Sequence, residues 1–158
     1  MQVLIVYDSK TGNTETMAFL VAEGVKNAGG VDAVVQKADE TTNEDLVNAD
    51  GIVVGSPTYY GQMSSKIKTM FDNSVAIHGK LEGKIGAAFT SSGGIASGAE
   101  TTLLSILEAM LVHGMILQGR ARSEHYGATS VGTPKEPDEE RCRELGERVA
   151  NLVKRLKR

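Results

Sequence analysis

Short apolar runs alternate with helix-period segments down this chain, and that alternation predicts βαβ units around a parallel sheet. The first run, residues 2–7, holds Val3-Leu4-Ile5-Val6-Tyr7 and reads as a buried strand. Apolar Met17, Leu20, Val21 and Val25 then recur at helical spacing, predicting a helix over 13–28 that Gly29-Gly30 ends. Val31–Gln36 is a weaker second strand nearer an edge, and a short helix at 43–48 follows, with Thr42 or Asn43 as its cap. The third strand is Gly51–Gly55, closed by Ser56-Pro57, and the third helix, 63–76, carries Met63, Ile67, Met70 and Phe71 on one face. Ile85–Thr90 is the fourth strand, and the fourth helix, 99–113, turns Leu103, Leu104, Leu107 and Leu111 inward. A fifth strand begins at Met115-Ile116-Leu117. Residues 119–137 read as irregular, and the last helix, 138–157, puts Cys142, Leu145, Val149, Leu152 and Leu156 on one stripe. Five strands and about five helices in this order predict one open, doubly wound domain over 1–158. Ligands of such sheets bind outside the carboxyl ends of the strands, where strand order reverses.

Three loops of unusual composition fall on that edge. Ser9-Lys10-Thr11-Gly12-Asn13-Thr14 joins the first strand to the first helix. A turn there aims backbone N–H groups at one point, at the positive end of the helix dipole. Three hydroxyls, the Asn13 amide and a glycine complete a cradle for a phosphate dianion, with Lys10 pointing outward or adding charge. The stretch equally fits an ordinary polar turn in which Thr14 caps the helix. The second loop, Gly55 to Met63, contains Pro57, Thr58, Tyr59, Tyr60 and Gly61, and so holds two of the chain's 4 Tyr. Rings and backbone amides there suit a planar aromatic ligand, or the rings pack back onto the domain. The third, Ser91-Ser92-Gly93-Gly94-Ile95-Ala96-Ser97-Gly98, is small enough to lie against a flat ring, or is a plain glycine-rich connection.

Composition excludes several classes. A net charge of −3 provides no basic field for nucleic acid or an anionic membrane surface. No apolar run approaches the ~20 residues that span a bilayer, and no basic-then-apolar leader opens the chain. The single cysteine, Cys142, forms no internal disulfide and lies on the apolar stripe, so inert core is its expected role; the expected compartment is the cytoplasm. His78, His113 and His125 are scattered without metal spacing. His78 reads as surface, His113 as a helix end, and His125 with Tyr126 as an approach to the edge where the three loops meet.

Taken together the motifs resemble a known family. Ser9-x-Thr11-Gly12-Asn13-Thr14 is similar to the phosphate loop of the flavodoxin-like FMN proteins. Gly55 through Met63, Phe89 to Gly93, His113-Gly114-Met115 and Tyr126 to Thr129 resemble one branch, the WrbA-like NAD(P)H:quinone oxidoreductases. The resemblance covers almost the whole chain and implies a flavodoxin-like doubly wound five-stranded parallel sheet in the order 2-1-3-4-5. It implies FMN as cofactor. Ser9, Lys10, Thr11, Gly12, Asn13 and Thr14 would hold the phosphate; Pro57, Thr58, Tyr59, Tyr60 and Gly61 would flank one side of the isoalloxazine, and Ser91, Ser92, Gly93 and Gly94 the other, with His125 near its rim. Gly61 would supply the peptide that reorients toward the flavin N5. No other catalytic residue is implied, since the flavin carries the chemistry.

Two functions follow from the resemblance: an electron carrier between redox partner proteins, or an enzyme passing electrons from NAD(P)H through FMN to a quinone. The second and third loops favour the enzyme. Against it, the branch usually carries an insertion after the second strand, and here about a dozen residues separate Lys37 from the third strand. Gln62 stands where many flavodoxins carry an acidic residue. A phosphate-switched signalling receiver would need an Asp where the third strand ends in Ser56-Pro57. No P-loop or G-x-G-x-x-G motif is present. The helix faces and tyrosine-bearing loops permit a homo-oligomer without requiring one.

Overall fold

The structure is a computed structural model, and it describes residues 1–157. Its strands are β1 (Gln2–Tyr7), β2 (Asp32–Lys37), β3 (Gly51–Pro57), β4 (Ile85–Ser92), β5 (Ile116–Leu117) and β6 (Ala128–Val131). Its helices are α1 (Asn13–Asn27), α2 (Asn43–Asn48), α3 (Ser65–Asn73), α4 (Ala99–Val112) and α5 (Asp138–Leu156). All pairings are parallel, in the order β2-β1-β3-β4-β5, with β6 also on β4. The expected strand order therefore holds, but two short strands share the fifth position. β6 lies within the stretch expected to be irregular, where pairing with β4 orders it.

Strands β1, β3 and β4 are buried on both faces, which is why they read as unbroken apolar runs. One layer, α1 and α5, packs Met17, Val21, Cys142, Leu145 and Val149 against Val3, Ile5 and Val53. The other packs Leu46, Ile67, Met70, Leu103, Ile106 and Met110 against Leu4, Ile52 and Val54. Each such side chain contributes roughly 1.5–3 kcal/mol on burial. Thr42 caps α2 in a capping box with Asp45, as its position predicts. The third helix is shorter than expected, giving way at Ser74 to a 3-10 turn, Ser74–Ile77.

Several packing expectations are corrected. Leu104 and Leu111 of α4 face solvent, at 36% and 59% exposure, because Thr102, Leu103, Ile106 and Met110 form the inner stripe. Leu156 is also exposed, and α5 instead buries Gly146, Ala150 and Val153. Cys142 is fully buried, as expected, and burial first, then Glu124 and Asp138, push its thiol up to about 12. Its thiol should resist iodoacetamide at pH 8 in the native protein and react once urea unfolds it. Native-state alkylation followed by mass spectrometry checks this.

His113 ends α4 and is buried. Ser74 Oγ donates its proton to the Phe71 carbonyl (2.6 Å), so His113 Nε2–H donates to Ser74 Oγ (2.7 Å). Nδ1 is left buried and without a partner among the described residues. Burial, then His78, lowers the His113 pKa below the usual 6.5. The folded ring is neutral where the unfolded one takes a proton, so this residue's contribution to stability is lost as pH falls below 6.5. His113→Gln keeps a donor to Ser74 and should flatten that part of the stability-versus-pH curve, measured by urea melts between pH 5 and 8.

Candidate functional site

Strand order reverses between β1 and β3, and a cleft of about 250 Å³ opens at their carboxyl ends. Ser9, Lys10, Thr11, Asn13 and Thr14 line it from the β1–α1 loop, Pro57, Thr58 and Tyr59 from the end of β3, and Ser91, Ser92 and Gly93 from the end of β4. Gly132, just past β6, closes the ring. The structure thus brings together eleven of the sixteen expected site residues.

The β1–α1 loop is built by local rules. Its Gly12 takes φ +93 and is the N-cap of α1, with no side-chain cap. This overturns the reading of Thr14 as the cap. Thr14 is buried, and its Oγ1 is hydrogen-bonded to Ser91 Oγ at 2.8 Å, tying the first loop to the third. Ser9 Oγ accepts the Gly12 N–H at 3.1 Å. Among the described residues, the N–H groups of Lys10, Thr11, Asn13 and Thr14 have no hydrogen-bond partner. Those of Asn13 and Thr14 are orphan donors of the helix start, those of Lys10 and Thr11 belong to the loop before its cap, and all four residues line the cleft. Glu15 in the first turn would oppose an anion, but its carboxylate is engaged by the Tyr7 hydroxyl at 2.5 Å. Burial, then Glu15, raises the Tyr7 pKa to about 12, so it remains a donor. Among the described residues no carboxylate lines the cleft, and Lys10 supplies its one cation.

The strand ends carry the other two walls. Ser91 and Ser92, expected in a loop, extend β4 because β6 pairs with them. Ser56 and Pro57 likewise extend β3. Thr58 N–H donates to the Ser91 carbonyl at 2.8 Å, and Thr58 Oγ1 bonds Thr90 Oγ1 at 2.9 Å, so the two walls move as one.

Tyr59 to Gln62 forms a tight turn. Tyr59 N–H donates to Gln62 O at 3.2 Å, and Gln62 N–H to Tyr59 O at 3.0 Å. Tyr60 and Gly61 both have positive φ, +50 and +71, the geometry of a type I′ turn, which glycine suits at the second position. Helix α4 holds the turn: Met63 N–H donates to Ser105 Oγ at 3.1 Å, and a Cβ on Gly98 would meet Gly61 Cα at 2.6 Å. The Tyr60–Gly61 peptide itself is hydrogen-bonded to nothing among the described residues.

Five expected residues lie outside the cleft wall. Gly12 caps α1, Tyr60 and Gly61 are the central residues of the turn, and Gly94 accepts from Ser92 and Ser97 through its carbonyl. The fifth, His125, is carried by the 118–127 loop to a different cleft, beside Leu117 and Arg148. Sequence reasoning missed Gly132 and the supporting hydroxyls Ser56, Thr90, Thr102 and Ser105. Among the described residues no cluster of His, Cys, Asp and Glu could hold a metal.

Comparison with known proteins agrees with this geometry. The NADPH-dependent FMN reductase family matches residues 1–125. A flavodoxin of Aquifex aeolicus is 42% identical over 160 residues, 96% of this chain and 86% of that one. An NAD(P)H dehydrogenase (quinone) of Archaeoglobus fulgidus is 36% identical over 190 residues, 98% of each chain. The solved structure of a flavodoxin from the domain Archaea superimposes with a TM-score of 0.81 at 31% identity, over 98% of this chain and 99% of that one. The chain belongs to the NADPH-dependent FMN reductase family and has the flavodoxin-like fold.

Proposed function

We propose that this chain is an FMN-binding, flavodoxin-type redox protein that carries electrons between redox partners. The observation that carries the reading is the set of unpartnered N–H groups at the start of α1, locked to Ser91 through Thr14. The donor set fits a phosphate: N–H groups, hydroxyls and Lys10, with no lining carboxylate to repel it. Ser9, Lys10, Thr11, Asn13 and Thr14 hold that phosphate, with Gly12 giving the loop its curvature. Pro57, Thr58 and Tyr59 lie side by side with Ser91, Ser92 and Gly93, joined by the Thr58–Ser91 hydrogen bond, and together they form the surface that takes the flavin ring. The free Tyr60–Gly61 peptide is the group that reaches its rim. When bound, FMN supplies one- and two-electron transfer. The protein binds it, orients it and keeps one edge open to a partner.

Length favours a carrier. The flavodoxin of A. aeolicus aligns over 160 residues, whereas the quinone dehydrogenase of A. fulgidus needs 190, so the latter has segments without counterpart here. A second reading, quinone reduction with NAD(P)H, draws on the exposed Tyr60 and Ile95 beside the cleft (106% and 90%), an apolar approach suited to a neutral ring. Among the described residues, no helix is long and apolar enough to cross a membrane. The one unpaired thiol supports a reducing cytoplasm as its compartment.

The test is anaerobic. FMN-loaded protein is mixed with NADPH or NADH, and the flavin absorbance is followed. A carrier stays oxidised until dithionite is added. Rapid bleaching, reversed by a quinone, selects the enzyme. Failure to retain flavin overturns both readings.

A further inference from the structure

The outer position of the sheet leaves a gap. β5 ends at Leu117, the chain loops out through 118–127, and β6 rejoins β4 at Ala128. Beneath that loop lies a second cleft of about 250 Å³, which shares no residue with the first. Ala87 of β4, Leu107, Leu117 and Leu145 give it apolar surface, and Gln118, His125 and Tyr126 bring polar groups. Among the described residues, Arg148 of α5 is the one permanently charged side chain that lines it.

Arg148 is under-used by the fold. Its Nε is buried with no partner among the described residues. Its NH1 donates only to the Gly119 carbonyl, at 3.3 Å. Among the described residues no carboxylate comes within ion-pair distance of it, since Glu144 is taken by Arg120. Arg122 and Glu147 face an adjoining concavity of about 340 Å³ that Arg148 also lines, and they offset one another. A guanidinium stays charged in proteins, and a half-buried one without a counter-ion is costly to keep. Burial, then Arg120, depresses its pKa, and the more distant carboxylates of Glu144 and Glu124 act against this without offsetting it. Five directed donors on a planar fork match a carboxylate in two parallel hydrogen bonds. The leucine walls match an apolar body. A phosphate would ask for a second cation, and among the described residues Arg148 is the one permanently charged side chain lining this cleft.

We propose that the second cleft binds a small organic carboxylate, its apolar body against Leu107, Leu117 and Leu145 and its carboxylate on Arg148. The site is independent of the flavin cleft and of the redox reading.

The experiment titrates the full chain with phenylacetate and with its neutral isostere phenylacetamide. Binding is read by calorimetry and by the NMR signals of Tyr126 and the cleft leucines, and the visible absorbance of bound flavin is followed throughout. Phenylacetate is expected to bind at least tenfold more tightly than phenylacetamide, without displacing flavin. Arg148→Met should abolish that preference. Without probe, the variant should melt at the same temperature as the parent or higher, because an unpaired charge has been removed. Leu107→Trp, which fills the chamber and leaves Arg148 in place, should abolish binding of both compounds. Equal affinity for the two probes, a preference that survives Arg148→Met, or displacement of flavin by phenylacetate each overturns the proposal. So does a lower melting temperature for Arg148→Met, which would assign Arg148 to propping the Gly119 carbonyl.

Discussion

Replacing Gly146 with alanine should lower the unfolding free energy by about 3 kcal/mol, and the melting temperature by roughly 6–12 °C for a chain of this size. Helices α1 and α5 cross at a pair of glycines, and their backbones touch there. A Cβ on Gly146 would stand 2.0 Å from the Val21 carbonyl oxygen and 2.9 Å from the Val25 nitrogen. A Cβ on Gly24 would stand 1.9 Å from the Arg143 carbonyl oxygen. These neighbours are main chain in the middle of helices, so no side chain can swing aside. The helices must separate, and Val21, Val25, Cys142 and Val149 lose contact with them. In an isolated helix the same change would stabilise by about 1 kcal/mol, because alanine is the better helix former. The sign of the effect therefore separates close packing from propensity. Thermal and urea denaturation measure it, and an unchanged or raised midpoint would refute the contact. Gly24→Ala should cost a similar amount. The double variant should cost less than the sum, because once the helices have parted the second methyl meets an open interface.

Gly24 and Gly146 also mark the limit of what the sequence reveals. Strands β1, β3 and β4 were legible because burial on both faces makes each an unbroken apolar run, and α1 because Met17, Leu20, Val21 and Val25 keep strict period. Strand β6 was not. Ala128-Thr129-Ser130-Val131 is short and small, sits between two glycines, and owes its order to pairing with β4. Helix α4 misled for the opposite reason: with Leu, Ile, Met and Val all round, its composition names no inner face. Packing then chose Thr102, whose hydroxyl bonds the Gly98 carbonyl at 2.9 Å, over Leu104 and Leu111. The three loops of the candidate site were legible as compositional oddities at strand ends. What holds them together was not. The Thr14–Ser91 bond spans 77 positions, and the Thr58–Thr90 bond spans 32. His125 was expected near the flavin rim from its place in an irregular segment at the same edge, and the loop that splits the outer strand puts it in the second cleft.

Replacing Thr11 with aspartate should weaken FMN binding at least about 100-fold, or about 2.8 kcal/mol, and leave the fold intact. Thr11 is exposed, immediately precedes the Gly12 cap, and lines the cleft beside the unpartnered N–H groups of Asn13 and Thr14. A carboxylate there occupies the positive end of α1, the place this reading reserves for the phosphate. With no ligand present the new charge should stabilise the helix by about 0.3–1 kcal/mol through the dipole. The apo protein should then melt at or slightly above the parent temperature while the holo protein loses its flavin. Opposite signs in the two measurements are what a phosphate cradle requires; a loop that merely shapes the domain would move both together. Riboflavin, which lacks the phosphate, supplies the control. It should bind parent and variant within a few-fold of each other, since the walls at Tyr59 and Ser92 are untouched. If flavin quenching titrations show FMN held as tightly by the aspartate variant as by the parent, the phosphate does not sit at the start of α1. The assignment of Ser9 through Thr14 would then fall, whatever the cofactor proves to be.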